Sequence, residues 1–411
     1  MAKISLDNVI VAIDVGTTKI CVVVAQQLDQ DRVEVIGIGK APSDGLSKGV
    51  VVDIARTIHS IKTAVKAAEI MAGLEIESAC IGISGAHIQS KNSTGVTPIT
   101  RGQVRQSDIE NAIASAQAIP IPQGQQILHV LPHYFVIDSQ TRVQDPLGMH
   151  GIRLEVQAHI IFGAVASVQN LVTCCERAGV KVSDIILEQL ASADAVLSAD
   201  ERELGVGVLD IGGGTSDLAL YQQGSIRHTM VLPVAGNHFT NDVAVGLRTT
   251  ITDAERIKRE YGMACIDLMK KDDLIEIELV QGGQKDIIFL HELISILQPR
   301  AHELFLLIHE EIVKNKLSSF LVSGLVITGG GSLLRGMKES AQQIFSVPVR
   351  IGSPRLDYDL PESLNSPIYA TGYGLIIHTL KKRCKLRQSG SQAPIAQRIF
   401  EKMQGWILDF F

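Results

Sequence analysis

The sequence predicts an α/β fold built twice. Two similar lobes face one another across a cleft, the first carries a small α+β insertion, and an amphipathic helix ends the chain. Three observations predict it. The stretch G-V-G-V-L-D-I-G-G-G-T-S-D-L-A-L from Gly205 to Leu220 reads as two buried strands joined by a glycine-rich turn, with Asp210 at its lip. The same design stands at the N-terminus, where V-I-V-A-I-D-V (9–15) leads through Gly16, Thr17, Thr18 and Lys19 into the apolar run 20–25. Asp14 and Asp210 each follow an apolar run and each precede a glycine by two residues, and a third strand follows in both copies, at 33–39 and 225–234. The third observation is the last 17 residues, in which apolar and charged side chains segregate to opposite faces of a helix.

The turns suggest a chemistry. Glycine lets the backbone approach a ligand without a Cβ in the way, and successive N–H groups in such a turn form a nest for an anion. Phosphate is the expected anion, with Asp210 and Asp14 as carboxylates for a metal ion that neutralises it. A single Gly-Gly-Gly hairpin is often only a hairpin; the second copy is what gives the reading weight.

Composition narrows the field. A chain of 411 residues can hold two or more cores. A formal net charge of −6 argues against a nucleic-acid binder, which needs a basic footprint. The six cysteines form no C-x-x-C pair, and with no signal-like N-terminus they read as buried thiols in a reducing cytosol. No run of 18 apolar residues exists, so no membrane-spanning helix is expected.

The remaining elements follow in order. Apolar residues at three- and four-residue steps predict a helix over 53–71, and S-A-C-I-G-I-S (78–84) a strand closing the first layer. Residues 85–161 read as the insertion, with a helix over 107–119 and strands at 126–137 and 153–162; its His129, His133, His150 and His159 have no metal-binding spacing and read as ordinary strand and loop histidines. A helix over 168–178 and a strand over 182–187 lead to E-Q-L-A-S-A-D-A-V-L (188–197), a helix with Ala191 and Ala195 on one face. Ala370 and Gly374 repeat that spacing in a helix over 368–377, so the two can cross closely as a hinge, although two ordinary core helices would give the same spacing. In the second lobe, helices are expected over 239–247 and from 252 (capped by Thr252 or Asp253) to Gly262, and strands at 275–280 and 286–289. Pro299 is expected to start a helix over 300–314. A strand over 321–328 ends in Gly329, Gly330 and Gly331, and Ser332 is expected to cap the next helix, a third place for a nucleotide to meet backbone N–H groups.

As a set, these motifs resemble the actin / Hsp70 / sugar-kinase superfamily. D-V-G-T-T-K (14–19) and D-I-G-G-G-T-S-D (210–217) are similar to its two phosphate loops, T-G-G-G-S-L-L-R-G (328–336) to its adenosine loop, and A-E-R-I-K (254–258) to the segment whose Glu and Lys flank the adenosine. The resemblance implies an actin-like (ribonuclease-H-like) fold that binds ATP and Mg²⁺. Asp14 and Asp210 would hold Mg²⁺ through its waters. Thr17, Thr18 and Lys19 would donate to the phosphates, backed by Gly16. Gly212, Gly213, Gly214 and Thr215 would face them, and Gly236, Glu255, Lys258 and Gly329–Gly331 would hold the nucleoside. Glu188 stands where the superfamily carries the residue that positions the attacking water; Gln189 replaces a proline common in relatives. At most a weak ATPase is implied.

Within that superfamily, the insertion at 85–161 and the motifs G-I-S-G-A-H-I (82–88), L-E-Q-L-A-S-A (187–193) and P-I-Y-A-T-G-Y-G-L (367–375) resemble the FtsA family of bacterial cell-division proteins. That resemblance implies 1–84, 162–197 and 357–380 as lobe 1, 198–236 and 301–356 as lobe 2, and 237–300 as a small subdomain binding the C-terminal peptide of the tubulin-like protein FtsZ. Arg248, Arg256 and Arg259 are its candidates for meeting an acidic peptide. It further implies self-assembly into filaments, contacts of 85–161 with neighbouring subunits and later division proteins, and a place on the cytoplasmic face of the inner membrane at the division site. The tail supports the membrane part on its own residues. A basic flexible linker (381–394) precedes a helix over 395–411 whose apolar face gathers Ile399, Phe400, Met403, Trp406, Ile407 and Phe410, suited to anionic lipid. Half-burying such a face gains little over the cost of ordering the helix, roughly 1 kcal/mol or more per residue. One tail therefore binds marginally and a filament of tails binds firmly. Two rivals stay open: a cytosolic kinase of the same fold, and a soluble nucleotide-switched scaffold whose tail packs on itself.

Overall fold

The computed structural model describes residues 8–29, 32–139, 142–281, 284–355 and 361–388. The linker from residue 389 and the amphipathic segment, including Ile399, Phe400, Met403, Trp406, Ile407 and Phe410, lie outside the described residues.

The duplication is written in the sheets. One five-stranded sheet runs in the order Lys181–Leu187, Ser78–Ile83, Val9–Val15, Lys19–Gln27, Val33–Pro42. The other runs Val349–Ile351, Leu325–Thr328, Val206–Ile211, Ser216–Gln222, Ser225–Leu232. In each, the opening strand pairs antiparallel with the next in sequence and parallel, on its other side, with a strand reached through a helical crossover. Both opening strands are buried along almost their whole length, which is why they read as unbroken apolar runs rather than alternating ones.

Helices cover both sheets. The Ile54–Ala72 helix begins at Asp53, whose carboxylate accepts from the Arg56 N–H, and buries Ile61, Ala64, Val65 and Ala68. It lies directly on the Val33–Pro42 strand, because Gly37 and Gly39 leave room: a Cβ on Gly39 would stand 1.9 Å from the Ala64 carbonyl oxygen. The Glu188–Val196 and Ala370–Gln388 helices join the lobes and cross at Gly374, where a Cβ would stand 1.9 Å from the Ala191 carbonyl oxygen. The close crossing expected from the small residues is present.

The insertion is a four-stranded antiparallel sheet, in the order Gln89–Pro98, Arg153–Ala164, Gln125–Ile137, Arg142–Val143, with the Gln106–Gln117 helix against it. Although it branches from the first lobe, it also bonds to the Ser225–Leu232 edge of the second. Ser90 Oγ donates to the Thr229 carbonyl (3.1 Å), Asn92 Nδ2 to the Arg227 carbonyl (3.3 Å), and Ser225 Oγ to the His133 carbonyl (3.0 Å). His159 is buried at this seam, 2.6 Å from Asn92 Oδ1 and 2.9 Å from Thr229 Oγ1, and stacks on His133.

Burial lowers both imidazoles below the ordinary 6.5, His159 to about 3 and His133 to about 4. A histidine depressed in the fold stabilises it only above its unfolded pKa, and that contribution fades as pH falls from about 6.5 toward 4. The contribution of this seam to thermal stability should therefore be level above pH 7 and decline below about 6, read as the difference between the melting temperatures of the parent and of a seam variant at each pH. His159→Gln should flatten the decline; an equal slope in the variant would remove this seam as its source.

Four local expectations change. The helix expected to start at Pro299 runs from Leu290 to Lys314 with the proline inside it, so a division drawn at residue 300 falls within one continuous helix. Proline removes one helical hydrogen bond, but Leu293, Ile294 and Leu297 before it and Ala301, Leu304 and Phe305 after it are all buried in the same core. Ser332 caps no helix: its hydroxyl donates back to the Gly329 carbonyl (2.7 Å) within a short 3-10 turn, and the helix begins only at Met337. Thr250, rather than Thr252 or Asp253, caps the Ile251–Glu260 helix by accepting from the Asp253 N–H. The strand expected from Leu321 begins at Leu325, after a 3-10 turn over Ser318–Phe320.

Candidate functional site

The two glycine turns occupy equivalent places. Val15 pairs with Ile20 and Ile211 with Ser216, so Gly16–Lys19 and Gly212–Thr215 are turns of equal length. Each closes on itself, Gly16 N–H donating to the Lys19 carbonyl (3.1 Å) and Gly212 N–H to the Thr215 carbonyl (2.9 Å). They meet across the cleft: a Cβ on Gly213 would lie 2.2 Å from Thr18 Cγ2, and one on Gly214 2.4 Å from Thr17 Oγ1. Thr17 Oγ1 accepts from the Gly49 N–H (3.1 Å), which ties the first turn to its own lobe.

Asp14 and Asp210 flank one turn of the Ala370–Gln388 helix. Thr371 Oγ1 donates to Asp210 Oδ2 (2.9 Å), and a Cβ on the next residue, Gly372, would be 3.8 Å from Asp14 Cβ. Both carboxylates are more than nine-tenths buried. Lys19 Nζ lies 3.2 Å from Asp14 Oδ2 and 3.0 Å from the Ile368 carbonyl oxygen. Burial would lower that ammonium's pKa; the charge of Asp14 outweighs it and holds the pKa above its ordinary value.

The third turn touches the same centre. Gly329, at φ +80°, sits where a Cβ would be 2.2 Å from Asp210 Oδ1, and Gly331 lies against Ile211. Gly330 stands between them. Their backbone leads into a 3-10 turn, so the adenosine-loop segment offers no α-helix N-terminus directly after its glycines. Gly236 N–H donates to the Gly212 carbonyl (3.0 Å). Lys258 Nζ links the Gly236 carbonyl (3.2 Å), Thr240 Oγ1 (2.8 Å) and Glu255 Oε2 (2.5 Å). Glu255 and Lys258 thus sit together one step behind the second turn.

One site residue went unread in the sequence. Asp217 is directly opposite Asp210 in the antiparallel register, and opposite residues share a face. It is 3 % exposed and accepts from Ser84 Oγ (2.6 Å), Gln189 Nε2 (3.1 Å) and Thr215 Oγ1 (3.0 Å). The register of the turn was the signal that could have found it. Gln189 is therefore more than a departure from a proline, because its amide fixes this carboxylate.

Electrostatics tie the group together. Burial pushes Asp210 up to about 6 and Asp217 up to about 7, each also raised by a neighbouring carboxylate. Glu188 is raised well above its ordinary value by burial and by the charges of Asp14, Asp217 and Asp210. Four carboxylates against one lysine leave an excess of negative charge that a bound cation would relieve. Among the described residues no three His, Cys, Asp or Glu side chains are clustered as direct metal ligands. The donor set accordingly fits a hydrated Mg²⁺, which keeps most of its waters.

The family described as "Cell division protein FtsA" matches residues 207–374, and "SHS2 domain inserted in FTSA" matches residues 85–162. The chain is 42% identical to the cell division protein FtsA of Pseudomonas aeruginosa, over 98% of this chain and 100% of that one. It is 34% identical to that of Escherichia coli K12, over 99% and 97%. Solved structures with a similar fold include a PilM-PilN type IV pilus biogenesis complex (TM-score 0.64, 16% identity, covering 90% of this chain and 98% of that one). Another is MreB5 of Spiroplasma citri bound to ADP (TM-score 0.58, 17% identity, 92% and 98%). At such identities they show the fold, an actin-like one. Nearly full-length identity to curated relatives and two family matches in their expected order place this chain in the FtsA family of cell division proteins.

Proposed function

We propose that this chain binds ATP with Mg²⁺ between its two turns, assembles with copies of itself, and anchors FtsZ to the cytoplasmic face of the membrane at the division site. The observation that carries the nucleotide part is the convergence of Gly212–Thr215, Thr17–Lys19 and Gly329 on Asp210 and Asp14. In this reading the backbone N–H groups and Lys19 hold the phosphates, and the bound cation neutralises the triphosphate. Glu188, raised well above the ordinary carboxyl range by burial and by the charges of its neighbours, and Asp217, raised to about 7, are the groups that would take or hold a proton beside the phosphates. Gln189 and Ser84 fix Asp217 in place.

Support for an FtsZ peptide comes from the small subdomain. Arg248 is exposed beside Val245, Ile251 and Val280, three apolar side chains each more than half exposed. A cation set in an apolar patch suits a short peptide of mixed acidic and apolar residues. Arg256 is a weaker candidate, because Asp253 (2.7 Å) and Glu260 (3.0 Å) already pair with it. On the insertion, Leu147, Met149 and Ile152 form an exposed apolar edge fit for a neighbouring subunit or another division protein.

The membrane part is tested with vesicles. The full chain should co-sediment with phosphatidylglycerol-containing liposomes, more strongly with ATP than without, and Trp406→Glu should abolish the pelleting. Pelleting that survives the substitution would remove the amphipathic tail as the anchor. A kinase would instead phosphorylate a small molecule without regard to lipid.

A further inference from the structure

Two ties between the insertion and the first lobe lead to one carboxylate in the second lobe, Asp217. Ser84 is the last residue before the matched insertion, and its hydroxyl donates from the first lobe to Asp217 Oδ1 (2.6 Å), both partners being buried. His129, on the Gln125–Ile137 strand of the insertion, accepts from the Leu187 N–H (3.0 Å). Leu187 caps the Glu188–Val196 helix, and Gln189 in its first turn donates to the same Asp217 oxygen (3.1 Å). We propose that Asp217 couples the nucleotide cleft to the insertion, so that nucleotide occupancy sets how firmly the insertion is held against the second lobe. This coupling deepens the ATP-binding reading and rests on it.

Continuity of contact is the first argument. Gly49 N–H donates to Thr17 Oγ1 (3.1 Å), and a Cβ on Gly49 would stand 2.9 Å from the Ser84 carbonyl oxygen and 2.8 Å from Gly85 Cα. Thr17 in turn meets Gly214 of the facing turn, where a Cβ would lie 2.4 Å from its Oγ1. Thr215, the next residue, donates to Asp217 Oδ2 (3.0 Å). Thr17, Gly49, Ser84, Asp217, Thr215 and Gly214 thus close a ring of contacts that joins both turns to the root of the insertion. At Gly49 and Ser84 backbone meets backbone, so no side-chain rotation absorbs a shift there. A ligand moves such a system only through contacts that differ between its arrangements. Thr17 and Thr215 can supply that difference, because each hydroxyl is shared between a phosphate-holding turn and the ring.

The short lever is the second. A tight turn follows Ser84, with Gly85 at φ +137° and its carbonyl accepting from the Ile88 N–H (3.0 Å). Ser90, six residues beyond Ser84, already belongs to the seam through its bond to the Thr229 carbonyl. From the other side, Asp217 pairs with Val231 on the strand that carries the seam, and Gln189 Nε2 also reaches the Met230 carbonyl of that strand (3.4 Å). A displacement of Asp217 therefore reaches the seam along both of its edges. The seam bonds from Ser90, Asn92 and Ser225 are single side-chain bonds to carbonyls, which makes the seam the element that yields. By reciprocity, a partner that fixes the insertion would change nucleotide affinity by the same factor.

Hydrogen exchange of the full chain, followed by mass spectrometry, reads the seam through the amides of 89–98 and 225–232. It is run without nucleotide and with Mg²⁺ and a non-hydrolysable ATP analogue, at a concentration that titration shows to saturate each protein. Amides of the buried Leu325–Thr328 strand serve as the reference for folding and for overall stabilisation by the ligand. Relative to that strand, exchange at the seam of the parent should differ about fivefold or more between the two states. Ser84→Ala cuts one tie and His129→Leu the other, and each should remove most of the difference while the reference strand stays protected. The proposal is overturned if the parent's seam exchanges alike in both states, or if both variants keep the parent's full response. Binding without a seam response removes the coupling alone. Failure of the analogue to bind, seen in the titration itself, would remove the ATP-binding reading and this coupling with it.

Discussion

Gly213→Val should reduce ATP affinity about a hundredfold or more while leaving the protein folded. A Cβ at this position meets Thr18 Cγ2 at 2.2 Å and Thr18 Oγ1 at 2.8 Å, and valine adds two further carbons to that overlap. The turn lies at the cleft and Thr18 is exposed, so the conflict is relieved by parting the two turns rather than by unfolding a core. Parting them withdraws backbone N–H groups from the phosphates. Losing two charge-assisted hydrogen bonds, at about 1.5–3 kcal/mol each, gives the stated factor. Titration of a fluorescent ATP analogue with Mg²⁺ measures it, and unchanged affinity would mean that the cleft has been misplaced. Asp210→Ala provides the complement, weakening binding with Mg²⁺ present far more than in chelator. Its stability effect has the opposite sign. A carboxyl whose pKa rises to about 6 in the fold favours folding only while protonated, and that benefit is lost as pH rises past 6. Above that pH the nucleotide-free alanine variant should melt no lower than the parent.

Gly374→Ala should be the most destabilising single-carbon change in the hinge. Its Cβ would stand 1.9 Å from the Ala191 carbonyl oxygen, 2.4 Å from its carbonyl carbon and 3.1 Å from its Cα. All three are backbone atoms in the facing helix, so no side-chain rotation removes the clash, and the two helices must separate. Overpacking of that kind costs about 3 kcal/mol. Because these helices also carry Glu188, Thr371 and Gly372, a surviving fraction should bind ATP poorly as well. Gly73→Ala is the control, with nothing within 4 Å of its Cβ and only a φ of +67° to strain, at about 1 kcal/mol. Thermal melts that lowered both variants equally would show that the crossing is looser than described.

Much of this was legible from local pattern. Glycine placement and buried apolar runs depend on a few neighbouring residues, so the repeated strand-turn-strand at Asp14 and Asp210 could be found without coordinates, as could the small residues at Ala191 and Gly374. Pro299 misled because proline is read locally as a helix start, whereas nonlocal burial on both sides carries the helix through it. Ser332 misled likewise: a serine after glycines resembles a cap, but its hydroxyl is drawn back to Gly329 by a turn that only the packed strand imposes.

What the sequence determined by itself is the duplicated α/β architecture and the identity of most turn residues, since periodicity and glycine preference are properties of short stretches. Tertiary structure alone decided that Asp217 joins Asp14, Glu188 and Asp210, that Gln189 holds it, and that Ser84 reaches it from the other lobe. Those groups are brought together by strand register and by the crossing of two helices, and charges that meet across such distances in sequence leave no periodic trace in it.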